Sequence, residues 1–146
     1  MLLDADDCQL VLVDYQSRLM PVIFENDIVA ANAVRLAQMA RIMQLPVWAS
    51  AQLPDKLGTT LPAVQAAIDT AGGKTLIKAH FSAAAEGLTD WLRPPARKPA
   101  AAPSRGGNAR SLPKHLQRAA PEPEAEEGRN TIVIAGCEAH VCLLQT

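Results

Sequence analysis

Three side chains with complementary chemistry follow apolar stretches that are far apart in the sequence. Asp14 follows Leu10–Val13, Lys78 follows Thr75–Ile77, and Cys142 lies a few residues after Thr131–Gly136. A thiol is a nucleophile once it loses its proton, and a carboxylate can accept that proton. An ammonium group stabilises ionised neighbours of the opposite charge. The three residue types together are those of cysteine-based nucleophilic catalysis.

The segments that carry these residues alternate between the patterns of strands and helices. A run of β-branched and aliphatic residues at 9–15 predicts a strand that is buried on both faces, as in a parallel sheet. Further strands are predicted at 47–51, 74–78 and 131–135. Apolar residues at helical spacing predict helices at 26–44, 61–70 and 86–92, the first of them capped by Asn26 or Asp27. This alternation predicts an α/β fold, a three-layer αβα Rossmann-like domain with a parallel sheet.

The predicted topology brings the three reactive residues together. Ligands of such sheets bind beyond the carboxyl ends of the strands, where Asp14, Lys78 and Cys142 would meet at one edge. If Cys142 begins a helix, we expect the pKa of its thiol to be lowered. Each residue also has a simpler interpretation. Asp14 could form a turn or cap a helix, Lys78 could be a solvated strand-end lysine, and Cys142 could be a packing thiol.

Charge and composition exclude some classes of protein. The chain of 146 residues has a net charge of −1, without the basic excess typical of a nucleic-acid binder. No apolar stretch is long enough to suggest a membrane span, and the acidic N-terminus lacks a signal-peptide pattern. The three cysteines, an odd number, favour free thiols in a reducing compartment, so we expect a cytoplasmic protein.

Residues 93–129 differ in composition from the rest. This segment holds seven of the eleven prolines, and its only large aliphatic residues are Leu112 and Leu116. So little apolar surface cannot offset the entropy lost on ordering. We therefore expect a single domain over 1–146, interrupted by a low-complexity flexible insertion at 93–129 with one possible short helix at 114–120.

No metal or phosphate site is predicted from the motifs. Cys137, His140 and Cys142 lie close in sequence, but a structural zinc site usually needs four ligands in paired spacings. The segment 71–75 contains Gly-Gly-Lys-Thr, but it precedes a strand instead of opening a helix, unlike a phosphate-binding loop. We expect no metal and no cofactor.

Three motifs, in the right order, resemble the isochorismatase-like cysteine hydrolases. They are the opening strand motif at 10–21, the lysine motif Lys78-Ala-His-Phe81-Ser82-Ala83, and the nucleophile motif at 134–146. The resemblance covers residues 2–92 and 130–146. It is greatest to a branch of small hydrolases in which Gly-Cys-Glu-Ala-His precedes the nucleophile region.

This resemblance implies roles for individual residues. Cys142 would attack a carbonyl carbon and form a thioester, Asp14 would be the general base, and Lys78 would balance charge. The backbone N–H groups of Glu138 and Cys142 would form an oxyanion hole, after a cis peptide between Cys137 and Glu138. Gln52 and Phe81 would line the substrate pocket.

The resemblance also implies a class of reaction. The stretch 48–54 lacks the Asp-x-His metal pair of nicotinamidase-like members, and the cysteine favours hydrolysis of a small amide C–N bond. The expected partners are a small-molecule substrate and other copies of the chain, with no nucleic acid and no membrane.

Two features depart from the family pattern. One is the long insertion at 93–129. The other is that family members continue with further helices and strands after the nucleophile, so we expect a domain that is C-terminally truncated relative to the family. The alternative function is therefore a truncated non-catalytic homologue that acts as a binding or oligomerisation module.

Overall fold

The computed structural model describes residues 2–92 and 128–146. The predicted insertion at 93–129, with its possible helix at 114–120, therefore lies outside the described residues except for Gly128 and Arg129. Arg129 is held by the fold, because its guanidinium donates hydrogen bonds to the carbonyl oxygens of Ala5 and Cys8 at 2.6 and 2.8 Å. The backbone carbonyl of Arg129 accepts from the Gln9 side chain at 3.0 Å.

Four parallel strands form one sheet in the described part of the chain. They are β1 (Cys8–Val13), β2 (Val47–Gln52), β3 (Lys74–Lys78) and β4 (Thr131–Gly136). Their order across the sheet is β3-β2-β1-β4. All six residues of β1 are buried, as expected for an apolar strand that has neighbours on both sides and helices on both faces. The parallel sheet predicted from the sequence is confirmed.

Helices cover one face of the sheet. Helix α1 (Asn26–Ile42) buries Ala33, Ala37 and Ala40 on one side, and α3 (Pro62–Thr70) buries Val64 and Ile68. They pack with Leu10 and Leu12 of β1 in the larger core cluster. The predicted cap of α1 is wrong. The N-cap residue is Glu25, in a left-handed conformation at φ 52° and without a side-chain cap hydrogen bond.

A smaller apolar cluster covers the other face. Val11 and Val13 of β1 pack there with Cys142 and with Leu88 of helix α4 (Leu88–Leu92). The rings of Trp48 and Trp91 lie 5.6 Å apart, centroid to centroid, beside this cluster. Because helical segments lie on both faces, the predicted three-layer α/β fold is confirmed.

Short elements connect the strands and complete the fold. Helix α2 (Pro54–Leu57) follows β2, and a 3₁₀ turn at Ala84–Glu86 follows β3. A π-helical turn at Ala139–Leu143 follows β4. Among the residues that the structure describes, no helix has both the length and the apolar character needed to cross a lipid bilayer.

Candidate active site

Asp14 lies immediately beyond β1, at the carboxyl edge of the sheet. Its backbone is left-handed, at φ 54°, a conformation that Asp and Asn adopt more readily than most residues. The carboxylate is 1% exposed, and its Oδ1 accepts a hydrogen bond of 2.8 Å from Ser50 Oγ. Asp14 is therefore a buried carboxylate fixed by a neighbouring strand, and its backbone also forms a turn, since its carbonyl accepts from the backbone N–H of Gln16 at 2.8 Å.

Lys78 ends β3, two strands away, and its ammonium group reaches the same carboxylate. Nζ lies 2.7 Å from Asp14 Oδ2, and the side chains of both residues are at most 1% exposed. Nζ also donates to the carbonyl oxygens of His80 and Phe81 at 3.1 and 2.7 Å. Lys78 is thus a buried, paired cation, and the interpretation as a solvated lysine is wrong.

The short Nζ–Oδ2 contact is an ion pair more than a directed hydrogen bond. Within the described residues, Asp14 Oδ2 accepts no hydrogen bond of acceptable geometry, although the ammonium is 2.7 Å away. The short distance shows that the ammonium and the carboxylate attract each other directly within the buried site.

The loop after β3 is held by Glu86. The carboxylate accepts from the backbone N–H of Ala79 at 2.9 Å and from that of His80 at 2.6 Å, and it contacts His80 Nδ1 at 2.8 Å. These hydrogen bonds, the Ala79 backbone bond first, lower the pKa of Glu86 below its usual 4.5. The same loop presents the carbonyl groups that bind Lys78, so Glu86 positions the partners of that ammonium.

Replacing Glu86 by alanine should destabilise the fold in a pH-dependent way. A lowered carboxyl pKa contributes stability that is present above the usual value of 4.5 and is lost as the pH falls through the lowered pKa. The difference in unfolding free energy between wild type and Glu86→Ala should therefore be larger at pH 7 than at pH 3. Urea unfolding at both pH values measures it. His80→Ala, which keeps both backbone hydrogen bonds, should retain most of the pH dependence. A difference that does not change with pH would contradict this role.

Cys142 lies in the π-helical turn after β4 and is 1% exposed. Its Sγ is 3.7 Å from Gln52 Oε1 and 3.6 Å from Glu138 Oε2, both within range of hydrogen bonds from a thiol. Cys142 is the fourth residue of this turn, and residues 144–145 continue it as a helix. The thiol therefore lies in the first turn of a helical segment, near the position predicted from the sequence.

The environment of the thiol favours its protonated form. Burial first, and the neighbouring Asp14 carboxylate second, raise the pKa of Cys142 to about 12. The Lys78 ammonium lowers the pKa, and the charge of Glu138 raises it. The prediction of a lowered thiol pKa is wrong for this structure. A nucleophilic Cys142 would have to transfer its proton during the attack.

Cys137, in the same segment, differs in exposure. It is less buried than Cys142, and its Sγ is 3.5 Å from the carbonyl oxygen of Asp14. Burial and the charge of Glu138 raise the pKa of Cys137 to about 11. All three cysteines are free. The described residues contain no cis peptide, so the predicted cis bond between Cys137 and Glu138 is wrong.

The two residues expected in the substrate pocket have different positions. Gln52 is 7% exposed and contacts Cys142 through Oε1, while its Nε2 donates to the Ala79 carbonyl at 3.3 Å. Its backbone N–H is bound by the buried side chain of Gln16 at 2.8 Å. Phe81 is 48% exposed and contacts Lys78 through its backbone carbonyl. Gln52 thus reaches the thiol, whereas Phe81 contributes its backbone to the ion pair.

Several contacts around these side chains were not predicted from the sequence. Ser50 donates a hydrogen bond to Asp14, and Gln16 binds the backbone of Gln52. Glu86 holds the loop after β3, and the Glu138 side chain contacts the thiol. Ser50 could have been found, because it is a polar residue within the apolar strand that pairs with Val13. Glu86 and Gln16 carry no such signal, since their partners are set by the tertiary structure.

The fold and this set of residues define an α/β domain with a buried Asp–Lys pair and a thiol at the carboxyl edge of its sheet. No family model matches the chain. A segment of 84 residues is 36% identical in sequence to isochorismatase domain-containing protein 2 from Danio rerio. The aligned segment covers 58% of the length of this chain and 41% of the length of that relative.

Solved structures share the fold over nearly the whole chain. The MAR1 ribonuclease from Caenorhabditis elegans has a TM-score of 0.70 and 20% identity, over 100% of this chain and 58% of that one. An isochorismatase from Pseudomonas putida has a TM-score of 0.66 and 15% identity, over 100% of this chain and 64% of that one. YcaC from Pseudomonas aeruginosa has a TM-score of 0.65 and 17% identity, over 98% of this chain and 56% of that one.

Together, these comparisons show that the domain has the fold of isochorismatase-like proteins. The chain spans about two fifths of the curated relative and between 56% and 64% of these three structures. At 15–20% identity, the structural likenesses establish the fold alone.

Proposed function

We propose that this chain is an isochorismatase-like cysteine hydrolase that cleaves a small amide-type C–N bond through a thioester on Cys142. The observation that carries the proposal is the buried Asp14–Lys78 ion pair of 2.7 Å at the edge where the Cys142 thiol lies. Burial of a carboxylate and an ammonium is costly, and such groups are concentrated at functional sites.

In the first half of the reaction, Cys142 forms a bond to the carbonyl carbon of the amide. The thiol proton moves to the Asp14 carboxylate. The tetrahedral intermediate collapses with breakage of the C–N bond, and the proton on Asp14 passes to the leaving nitrogen. An acyl group remains on Sγ, and the amine or ammonia departs.

In the second half, water attacks the thioester while Asp14 accepts a proton from it. The C–S bond breaks, the thiol regains its proton, and the carboxylic acid leaves. Lys78 keeps a positive charge beside Asp14 in both halves, which favours the ionised carboxylate at the start of each. The scheme requires no metal and no cofactor.

Two further groups act on the substrate in this proposal. The backbone N–H groups of Glu138 and Cys142 would stabilise the developing oxyanion, a contribution that typically reaches ~3 kcal/mol per donor. Gln52, whose amide contacts both the thiol and the loop after β3, would orient the substrate amide. Phe81, about half-exposed, would contact the substrate at the rim of the pocket.

The proposal extends to partners and location. The partner would be a small molecule, with homo-oligomers formed by the chain itself. The YcaC product of Escherichia coli is an octameric hydrolase, which supports self-association here. A cytoplasmic location is consistent with the three free thiols. We also propose that residues 1–146 form a single domain that is interrupted by an insertion at 93–129.

Acrylamide should alkylate Cys142 selectively in the full chain. This neutral amide is electrophilic, and YcaC from Pseudomonas aeruginosa carries covalent acrylamide. Sγ adds to the terminal carbon of the double bond, and the thiol proton ends on the carbon next to the carbonyl. Exposure alone would favour Cys137, which is less buried than Cys142. If Asp14 assists, peptide mass spectrometry should instead find the adduct on Cys142 first.

The Asp14→Asn variant provides the decisive comparison. Asn is compatible with the left-handed backbone at this position, and the substitution should slow labelling of Cys142 by at least about 100-fold. Asp55→Asn removes an exposed carboxylate and should leave the rate unchanged. Faster labelling of Cys137, or a rate at Cys142 that is independent of Asp14, would overturn the proposal and favour the non-catalytic alternative.

A further inference from the structure

The Glu138 side chain places a second carboxylate at the candidate nucleophile. Its Oε2 lies 3.6 Å from Cys142 Sγ, and the residue is partly buried. Glu138 therefore presents a negative charge next to the sulfur atom that would bind the substrate.

This charge has no cation against it in the described part of the chain. The ion pairs there join Lys78 to Asp14 and His80 to Glu86, and none involves Glu138. Because the charges of Asp14 and Lys78 offset each other at 2.7 Å, the three groups around the thiol sum to one negative charge. In a partly buried setting, such a charge acts more strongly than it would in water.

We propose that Glu138 determines the substrate charge that the site accepts. The inference rests on the proposed function and narrows its substrate class. The site takes small amides that are neutral or cationic near the scissile carbon, and it rejects those with a carboxylate there. Glu138 thereby combines two contributions, since its backbone N–H belongs to the proposed oxyanion hole while its side chain selects charge.

Two thiol reagents of matched size and opposite charge test this inference without a known substrate. These are aminoethyl methanethiosulfonate, a cation, and sulfonatoethyl methanethiosulfonate, an anion. In each case the thiol loses its proton, Sγ forms a disulfide with the reagent, and methanesulfinate leaves. The rate at Cys142, measured by mass spectrometry of the separate cysteine peptides, gives a cation-to-anion ratio for each variant.

The ratio isolates selection by charge from the reactivity of the thiol. Glu138→Gln keeps an oxygen acceptor for the thiol and removes the charge, so it should lower the cation-to-anion ratio at Cys142 by about tenfold. Any change in thiolate formation affects both reagents equally and cancels. Glu25→Gln, which removes an exposed carboxylate at the start of α1, should leave the ratio unchanged.

The outcomes separate this inference from the proposed function. A ratio that changes less than about twofold in Glu138→Gln overturns the charge selection, and the proposed function stands if acrylamide labelling still depends on Asp14. Absence of labelling at Cys142 by both reagents in the wild type overturns both. A roughly tenfold fall in Glu138→Gln alone supports the inference.

Discussion

Replacing Cys142 by alanine should lower kcat/KM for hydrolysis of a small neutral amide by about 10⁴-fold or more. Without the thiol no thioester can form, and the remaining site supplies only binding and oxyanion stabilisation. The measurement is the release of ammonia or amine from an amide that the wild-type protein hydrolyses. A loss of this size distinguishes a nucleophile from a residue that shapes the pocket.

The control for this variant is Cys8→Ala, which removes a buried thiol of β1. Cys8 is a strand residue that packs in the core, so its variant should keep its catalytic rate even if its unfolding temperature falls. Thermal unfolding of Cys142→Ala verifies that the fold persists. Hydrolysis that survives in Cys142→Ala would mean that another group attacks the substrate.

Replacing Lys78 by methionine should lower the free energy of unfolding by about 3–5 kcal/mol. The substitution leaves the Asp14 carboxylate buried without its ion-pair partner, and the carbonyl groups of His80 and Phe81 lose their donor. An uncompensated buried charge is one of the most destabilising changes in a protein. Urea unfolding at pH 7 measures the loss.

Two further variants show whether the ion pair is the cause. Adding Asp14→Asn to Lys78→Met removes the unpaired charge and should restore more than half of the lost stability. Lys56→Met, at an exposed position, should change stability by less than about 0.5 kcal/mol. A loss below about 1 kcal/mol in Lys78→Met would contradict a buried ion pair.

The fold was predictable because its strands are marked by continuous apolar runs. β3 has the predicted bounds, 74–78, and the other strands differ by one or two residues. The N-terminus of α1 was less predictable. Glu25 takes a left-handed conformation there, and nothing in its local sequence requires this. The local sequence pattern therefore predicts the type of each element better than it predicts the residues at which the element begins and ends.

The site was predictable as far as topology determines it. In a parallel sheet the strands share a direction, so Asp14 after β1 and Lys78 at the end of β3 had to meet at the same edge, and they lie 2.7 Å apart. The position of Cys142 within its turn was not predictable, because it depends on how the chain turns after Gly136. The expected lowering of the thiol pKa was wrong, because the thiol is buried and lies beside the Asp14 carboxylate.

The supporting contacts were beyond sequence reasoning. Glu86 binds two backbone N–H groups six and seven residues away, and Glu138 reaches the thiol across one turn. Both are ordinary charged residues by type and by spacing, and only the folded chain gives them partners. The catalytic roles of Asp14, Lys78 and Cys142 stay predictions, and they rest on the buried ion pair and on the buried thiol at the same edge of the sheet.

The central claim is a thioester on Cys142, and acid quenching during hydrolysis of a small amide tests it most directly. Intact and peptide mass spectrometry of the quenched protein should show the acyl group of the substrate on Cys142. The adduct should be absent from Cys142→Ala and strongly reduced in Asp14→Asn. Steady hydrolysis with no acyl group on the protein, or with the acyl group on another residue, would contradict the mechanism.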